Sequence, residues 1–182
     1  MRKFLIFCAL FKCSISFEQI RQSVTIGPDL GLPYKYFGRN SKVGFGASWD
    51  YQVKISAHIG AQFHLGYIKF GDKEFTNSWV TFLPIRAGIV GYVYEDVIFV
   101  FADAGISHFH DANDDSQTGF SFGAGGGYKL YFNPDKKQMV QFSAYFNLHN
   151  FTRPMVQSIN YTWFNIRVAY GASFGKKSTI EK

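Results

Sequence analysis

The sequence predicts an all-β fold, an eight-stranded antiparallel up-and-down β-barrel, and three observations carry that prediction. Apolar and polar residues alternate with a period of two in eight separate runs, the pattern of half-buried strands. The connections between these runs are alternately short and long. Aromatic residues make up 19% of the 182 residues and 18 residues are glycine, yet the mean hydropathy is −0.07. Apolar and polar residues are therefore interleaved rather than segregated into long apolar helices.

The N-terminus precedes the barrel and has the features of a signal peptide. Basic Arg2 and Lys3 are followed by a short apolar run over residues 4–11, and small residues lie before a plausible cleavage site after Ser16. The apolar run is much shorter than the roughly 18 residues that a spanning helix needs. The predicted organisation is a signal peptide over 1–16 and one barrel domain over 17–182.

Cleavage after Ser16 would also change the cysteine content and the charge. Both cysteines, Cys8 and Cys13, would be removed, which suits passage through an oxidising compartment. Arg2, Lys3 and Lys12 would be lost with no acidic residue, so the formal net charge would fall from +6 to +3. No basic run interleaved with aromatic residues occurs in the remaining chain, and nucleic-acid binding is not expected.

The eight alternating runs each have about the ten residues that a tilted strand needs to cross a bilayer. They are predicted over 23–32, 43–53, 59–67, 83–93, 97–107, 119–132, 140–149 and 164–174. The fifth run is the least regular, because Val97, Phe99 and Phe101 share a face with Asp103. No segment of helical length shows an apolar stripe with a period of 3.6 residues.

The connections predict that the barrel has two different ends. The short connections are predicted over 54–58, 94–96 and 133–137. The long and more charged connections are predicted over 33–42, 70–78, 108–117 and 150–161. Short turns at one end and long loops at the other are typical of transmembrane β-barrels.

Residue size indicates which face of the strands points outward. One face carries Phe, Tyr, Trp and Ile, whereas the other is rich in Gly and Ser with a few charged residues. Because eight strands enclose only a narrow interior, we expect the small and charged residues inside and the bulky apolar ones outside, against lipid. Aromatic residues near the strand ends would then form interfacial girdles: Tyr34, Tyr36, Tyr51, Tyr67, Trp79, Tyr94, Tyr131 and Trp163.

The charged and polar residues of the inner face are predicted to form a lumenal polar network. Its members are Asp29, Asp50, His64, Arg86, Asp103, Lys129 and Arg167. Acidic and basic members are balanced, and unpaired ions inside a narrow barrel would be costly, so we expect them to pair. The alternative is that some of them lie near the rims, in water.

Four segments resemble a known family, at 26–33, 83–88, 119–128 and 164–174. Together they span nearly the whole barrel domain, and they resemble the outer-membrane β-barrel proteins of the OmpA/OmpX-like, porin-family group, of Bacteroidetes type. The resemblance implies a location in the outer membrane of a Gram-negative bacterium, in contact with outer-membrane lipid and lipopolysaccharide. It also implies insertion by the outer-membrane assembly machinery.

The last strand resembles the signal that this machinery recognises. Tyr170 and Phe174 lie on its apolar face, as the family's signal requires. The chain departs from the family pattern by continuing over residues 175–182, where family members often stop.

The expected function is a structural or loop-mediated binding role for a barrel whose lumen is filled by side chains, with no enzymatic activity. One alternative is a lipopolysaccharide-modifying outer-membrane enzyme. Its best candidate base is His149, which is predicted on the inward face and has no Ser two residues on. The other alternative is a soluble, lipocalin-like ligand-binding barrel. The sequence does not specify the partner of the loops.

No cofactor, metal or catalytic residue is expected. The segment 108–115 has the Asp-x-Asn-x-Asp spacing that begins a calcium loop, but Ser116 and Phe122 occupy the positions that such a loop gives to Gly and Glu. A solvated acidic loop is the favoured interpretation. The glycine run 123–127 lies inside an alternating strand with no helix after it, so it predicts close packing rather than a phosphate-binding loop.

Overall fold

A computed structural model describes residues 21–75, 78–94, 96–112, 115–132, 135–151 and 159–175. Its elements are β1 (Arg21–Pro33), α1 (Lys35–Asn40), β2 (Ser41–Lys54), β3 (Ile59–Asp72), β4 (Trp79–Tyr94), β5 (Ile98–Asp111), β6 (Ser116–Tyr131), β7 (Gln138–Phe151) and β8 (Ile159–Phe174). Each strand pairs antiparallel with the next, and β1 pairs with β8 to close the barrel. The predicted eight-stranded antiparallel up-and-down barrel is confirmed. The predicted signal peptide lies outside the described residues.

The two ends of the barrel differ in what connects the strands. We call one the turn end, which holds Arg21, Gly175 and the connections 55–58, 95–97 and 132–137. We call the other the loop end, which holds α1 and the ends of the strands where β3 is followed by β4, β5 by β6, and β7 by β8. Within the described part of the chain, no helix combines the length and hydropathy that a membrane crossing requires.

The strands are longer at the loop end than the sequence pattern predicts. β3 continues to Asp72, and β5 and β6 meet almost at their tips, where His110 pairs with Ser116. Of the two segments predicted as loops, 108–117 is therefore strand over 108–111 and 116–117, and 70–78 is strand over its first three residues. Backbone N–H and C=O groups of neighbouring strands form hydrogen bonds with one another regardless of the side chains. Charged residues therefore did not end the strands.

Helix α1 is a second departure from the predicted loops. It lies within the segment 33–42, which was predicted as one of the long connections. Its six residues include one buried side chain, Phe37. A helix this short is marginal by itself, so the burial of Phe37 accounts for its position.

Outward-pointing side chains form a continuous apolar surface, as predicted. We call it the apolar belt; its exposed members include Ile26, Phe45, Phe63, Leu65, Ile85, Ile89, Val100, Ile106, Phe120, Phe142, Ile166 and Val168. They occupy alternate positions on neighbouring strands, as on Leu65, Ile85 and Ile106, which lie opposite one another across β3, β4 and β5. The belt therefore runs around the middle of the barrel.

The interior contains more aromatic side chains than residue size alone predicts. Phe99 and Phe101 point inward near the turn end, where they pack with Tyr92 and Tyr145. The two residues fit because glycines on the neighbouring strand leave room: a Cβ added to Gly127 would lie 2.7 Å from Phe99 Cζ. The expectation that bulky apolar residues fit only outside is therefore wrong at both ends of the lumen.

Two members of the predicted aromatic girdles are also inside. Trp163 is buried in the lumen at the loop end, and Tyr131 lines the interior near the turn end. Trp163 is two residues from the inward-pointing Asn165 on β8, and Tyr131 is two residues from the inward-pointing Lys129 on β6. Residues two apart on a strand point to the same face whatever their type. The girdle assignment was wrong for these two residues.

Glycines on the inner face also make room for the charged residues, which gives a direct prediction. A Cβ at Gly123 would lie 2.5 Å from Asp103 Oδ1 and 2.8 Å from Arg86 Cζ, and both side chains are buried in contact. Gly123→Ala should therefore destabilise the barrel by about 1–3 kcal/mol through overpacking. Urea unfolding of the refolded barrel in lipid vesicles measures this.

Gly71→Ala is the matched control for that substitution. A Cβ there meets only Lys42 Cδ, at 3.6 Å, an ordinary contact with a flexible side chain. We expect its free energy of unfolding to stay within about 0.5 kcal/mol of the parent. Equal effects of the two substitutions would show that the space beside Arg86 and Asp103 is not restricted.

Candidate functional site: the filled lumen and its two ends

The middle of the lumen is occupied by hydrogen-bonded polar side chains. One series starts at Lys129, whose Nζ donates to Gln52 Oε1 at 2.6 Å. Gln52 Nε2 donates to Gln62 Oε1 at 2.8 Å, and Gln62 Nε2 donates to Asp103 Oδ2 at 3.1 Å. This series crosses from β6 through β2 and β3 to β5, so it connects strands that are not neighbours.

The same series continues to an ion pair between Arg86 and Asp103. Arg86 Nε lies 3.0 Å from Asp103 Oδ1, and both side chains are inaccessible to solvent. The N–H does not point at the carboxylate oxygen, so the contact is one of charge rather than a directed hydrogen bond. Arg86 Nη1 donates to Asn147 Oδ1 at 2.7 Å. Arg86 therefore joins β4, β5 and β7.

A second cluster is built around Asp50. Its two carboxylate oxygens contact different partners, His64 Nδ1 at 2.6 Å and Arg167 Nη1. Arg167 Nη2 also donates to the carbonyl oxygens of Ser48, at 3.0 Å, and Thr25, at 3.3 Å. A planar guanidinium suits this role because its fixed fork of donors can satisfy several acceptors at once.

Asp29 connects the polar middle to the aromatic loop end. Its Oδ1 accepts hydrogen bonds from Tyr145 Oη at 2.9 Å and from Asn165 Nδ2 at 3.1 Å. Asn165 Oδ1 in turn accepts from Trp163 Nε1 at 3.1 Å. Neutral donors thus stabilise this carboxylate, which lies in register with Arg167 across the β1–β8 seam.

The structure places all seven residues of the predicted lumenal network inside the barrel. Each is buried, with Arg86 and Arg167 only 1% exposed. It brings together Arg86 with Asp103, and Asp50 with both His64 and Arg167. The neutral members of the network were missed by the charge criterion: Gln52, Gln62, Tyr145, Asn147 and Asn165. Their inward parity was visible in the sequence and could have found them.

The loop end of the lumen is sealed by an aromatic cluster. It consists of Phe37, Ile68, Phe70, Phe82, Phe109, Phe151 and Trp163, with Val80 and Tyr161 packed against it. Phe82 is central: its ring centroid lies 4.9 Å from that of Trp163 and 5.6 Å from that of Phe109. The cluster fills the mouth of the barrel with side chains from β3, β4, β5, β7 and β8.

Helix α1 covers this cluster on the outer side of the loop end. Phe37 packs edge-on against Phe70, with ring centroids 4.9 Å apart. The helix is held at its C-terminal side by Lys73, whose backbone N–H donates to Asn40 O and whose Nζ donates to Gly38 O. The first connection therefore closes the mouth rather than extending away from it.

The turn end is sealed by charged residues. Asp96, in the β4–β5 connection, contacts Arg21 Nη1 at 3.1 Å and Lys54 Nζ. Its backbone has a positive φ of 68°, which Asp adopts more readily than most residues. Lys129 and Tyr92 lie next to this group, around a space of about 10 Å³. That volume holds at most about one water molecule.

The candidate catalytic base of the enzyme alternative is enclosed. His149 is 0% exposed and stacks on Trp163, with ring centroids 4.3 Å apart. A lipid ester on the outer surface of the barrel cannot reach it. Among the described residues, no group of three or more His, Cys, Asp or Glu side chains could hold a metal ion.

Tyr170 and Phe174 point outward from β8. Tyr170 lies opposite Val140 on β7, on the apolar surface, and Phe174 is the last residue of the strand. Both rings are exposed to the surroundings of the barrel.

Comparison with known proteins gives matches at the level of structure only. No protein-family model matches the chain, and no curated protein matches it. Solved structures of eight-stranded membrane barrels do match. Ail, the attachment invasion locus protein of Yersinia pestis, has a TM-score of 0.57 at 16% identity, with 85% of this chain and 98% of Ail covered.

Two further solved structures show the same likeness. Neisserial surface protein A has a TM-score of 0.57 at 12% identity, with 85% of this chain and 97% of that chain covered. The outer-membrane protein OprG of Pseudomonas aeruginosa has a TM-score of 0.53 at 9% identity, with 87% and 98% covered. The chain therefore has the fold of bacterial outer-membrane β-barrels, over nearly the full length of those proteins.

Proposed function

We propose that this chain is an integral protein of a bacterial outer membrane, with a structural or loop-mediated binding role and no enzymatic activity. The observation that carries the proposal is the apolar belt around a filled polar lumen. A soluble protein rarely exposes a contiguous apolar surface larger than a few hundred Å². Exposing apolar side chains to water costs free energy. Lipid acyl chains around the barrel remove this cost, because side chains such as Ile85 and Phe120 then contact lipid instead of water.

The interior argues against a soluble ligand-binding barrel. A lipocalin-like protein keeps a cavity for an apolar ligand inside and presents polar residues outside. Here the polar network fills the middle, and Phe82 and its neighbours fill the loop end. The same filling argues against a conducting pore. The remaining sites for a partner are therefore the surfaces at the two ends.

We place the loop end outside the cell, in contact with lipopolysaccharide. Lys69 points outward above Tyr67 on β3, and its Nζ lies 4.2 Å from the centre of the Trp79 ring. An ammonium group held over an aromatic ring, at the loop-end edge of the apolar belt, is well placed to pair with the phosphate groups of lipopolysaccharide. Ail, which shares the fold, has been solved in complex with the heparin analogue sucrose octasulfate, another polyanion.

The proposal includes the route by which the chain reaches the membrane. Residues 1–16 would direct export and be cleaved, leaving the barrel domain 17–182. The assembly machinery would then recognise β8 through Tyr170 and Phe174. Segments 26–33, 83–88, 119–128 and 164–174 support an OmpA/OmpX-like, porin-family protein of Bacteroidetes type.

Cell fractionation tests the location. The protein should be recovered in the detergent-soluble outer-membrane fraction, and an unheated sample should migrate differently on a denaturing gel from a boiled one, because the barrel stays folded until heated. Release of the protein into the supernatant without detergent would contradict the proposal.

A pair of substitutions in the apolar belt tests contact with lipid. Ile85→Arg, at the middle of β4, should destabilise the barrel in vesicles by about 2–4 kcal/mol, the cost of Arg at the bilayer midplane. Val93→Arg, near the turn end of the same strand, should cost only about 0–1 kcal/mol. Urea unfolding in vesicles measures both.

The depth dependence is the decisive outcome. Both side chains point outward, at 43% and 65% exposure, so water around the barrel would make both substitutions nearly neutral. Equal and small effects at Ile85 and Val93 would therefore contradict a membrane-embedded belt.

A further inference from the structure

The turn end carries a recess that the lumen and the proposed function do not account for. It has a volume of about 280 Å³ and is formed where the end of β8 meets the β6–β7 connection and the start of β1. Ser173 N–H donates to Lys137 O at 2.7 Å, which ties the first two of these segments together. This is many times the space beside Lys129 and Tyr92, which holds at most about one water molecule, so the recess can admit a larger group.

The walls of the recess are mainly cationic. Among the described residues, Arg21, Lys136 and Lys137 line it together with one acidic side chain, Asp135. Arg21 is held in place, since its Nη2 donates to Lys136 O at 2.5 Å and its Cζ lies 5.3 Å from the centre of the Tyr131 ring. Arg21, which also pairs with Asp96, is thus a fixed part of the wall, whereas Lys137 is well exposed to solvent.

One edge of the recess is apolar and faces the surroundings of the barrel. Phe174 lines it and is 51% exposed. Tyr94, the last residue of β4, and Phe132, directly after β6, are also exposed. Among its described lining residues, the recess thus combines cationic side chains with one exposed aromatic side chain, Phe174.

We propose that this recess binds the phosphate group of an anionic glycerophospholipid in the periplasmic leaflet, with Phe174 against the acyl chains. The inference rests on the proposed membrane location, which puts the turn end at that leaflet. Opposite charge and the apolar edge together fit a phosphate attached to acyl chains better than a free anion. A phosphatidylglycerol headgroup keeps its net negative charge, whereas a phosphatidylcholine headgroup is neutral overall.

Native mass spectrometry of the refolded barrel in detergent, titrated with phosphatidylglycerol or phosphatidylcholine, tests the proposal. The parent barrel should bind phosphatidylglycerol several-fold more tightly. Lys136→Asn combined with Lys137→Gln should weaken phosphatidylglycerol binding about 25-fold, since each lysine near an anionic lipid surface contributes about fivefold. Asp135→Asn should strengthen it by about fivefold, because it removes the one carboxylate among the described residues that line the recess.

The loop end offers a matched control. Lys35 has a positive φ of 53° and Lys136 has one of 52°, a backbone conformation that Asn tolerates. Lys35→Asn with Lys42→Gln therefore removes two cations at the opposite mouth of the barrel, and its Asn substitution is made at the same backbone conformation. This control pair should leave phosphatidylglycerol binding unchanged.

Three results would overturn the inference. The first is equal binding of the two lipids, and the second is unchanged phosphatidylglycerol binding in the Lys136/Lys137 variant. The third is competition by inorganic phosphate as strong as that by phosphatidylglycerol, which would indicate a site for a free anion. Heat-modifiable gel mobility of each variant separates these from a failure of the proposed function. A barrel that inserts without lipid preference contradicts only the recess, whereas a chain that never inserts contradicts the membrane location.

Discussion

Arg86→Met should cost the barrel about 3–5 kcal/mol of its free energy of unfolding. Arg86 and Asp103 are both inaccessible to solvent and in contact at 3.0 Å. Removing one member of a buried ion pair leaves the other charge without compensation, and this penalty is larger than the net stabilisation from the pair itself. Urea unfolding in vesicles, followed by tryptophan fluorescence, measures the loss.

A double variant separates the charge effect from lost packing. Asp103→Asn removes the carboxylate charge but keeps an oxygen that can accept the hydrogen bond from Gln62. Arg86→Met with Asp103→Asn should therefore recover at least half of the stability that Arg86→Met loses. If the losses of the two single variants simply add, the residues are not coupled and the pairing argument is wrong.

An exposed ion pair provides the control. Lys137 and Asp135 are 3.7 Å apart and both well exposed at the turn end. Asp135→Asn should change the free energy of unfolding by less than about 1 kcal/mol, as is usual for surface pairs. The same substitution is expected to strengthen lipid binding, so stability and binding should respond independently.

Phe82→Ala should destabilise the barrel by about 3–5 kcal/mol, the usual cost of truncating a buried Phe. Its ring is fully buried and touches the rings of Phe37, Phe70 and Trp163, among others. The cavity left behind cannot collapse easily, because the ladder fixes the strands that carry these neighbours. Urea unfolding measures the loss.

Phe75→Ala is the control for the aromatic cluster. Phe75 lies in the β3–β4 connection at the same end of the barrel and is mostly exposed. Its truncation should alter the free energy of unfolding by no more than about 0.5 kcal/mol. Similar effects at Phe82 and Phe75 would mean that the loop end is not packed as a core.

Sequence periodicity was sufficient for the strand count, the antiparallel order and the face of most residues. A period of two assigns each side chain to one of two faces, and a one-residue error would reverse a whole strand. For that reason the inward positions of Asp29, Arg86 and Lys129 could be predicted without knowing their partners. The eight strands in order also imply that β1 meets β8.

The tertiary structure decided what residue chemistry alone could not. Trp163 has the chemistry of a girdle residue and Phe99 that of a lipid-facing one, yet both lie inside, because their positions in the strands point inward and glycines on neighbouring strands leave room. The partners of each charge also depend on register across several strands: Gln62 reaches Asp103 although β3 and β5 are not adjacent in the sheet.

The sequence by itself thus determined the barrel and the division into inner and outer faces, since both follow from local alternation along each strand. Only the tertiary structure decided that the lumen is polar in the middle and aromatic at the loop end, that α1 covers that mouth, and that a cationic recess forms beside Phe174. These features depend on contacts between residues far apart in the chain, whose distances are set by strand register and by the narrow interior, and no local pattern encodes them.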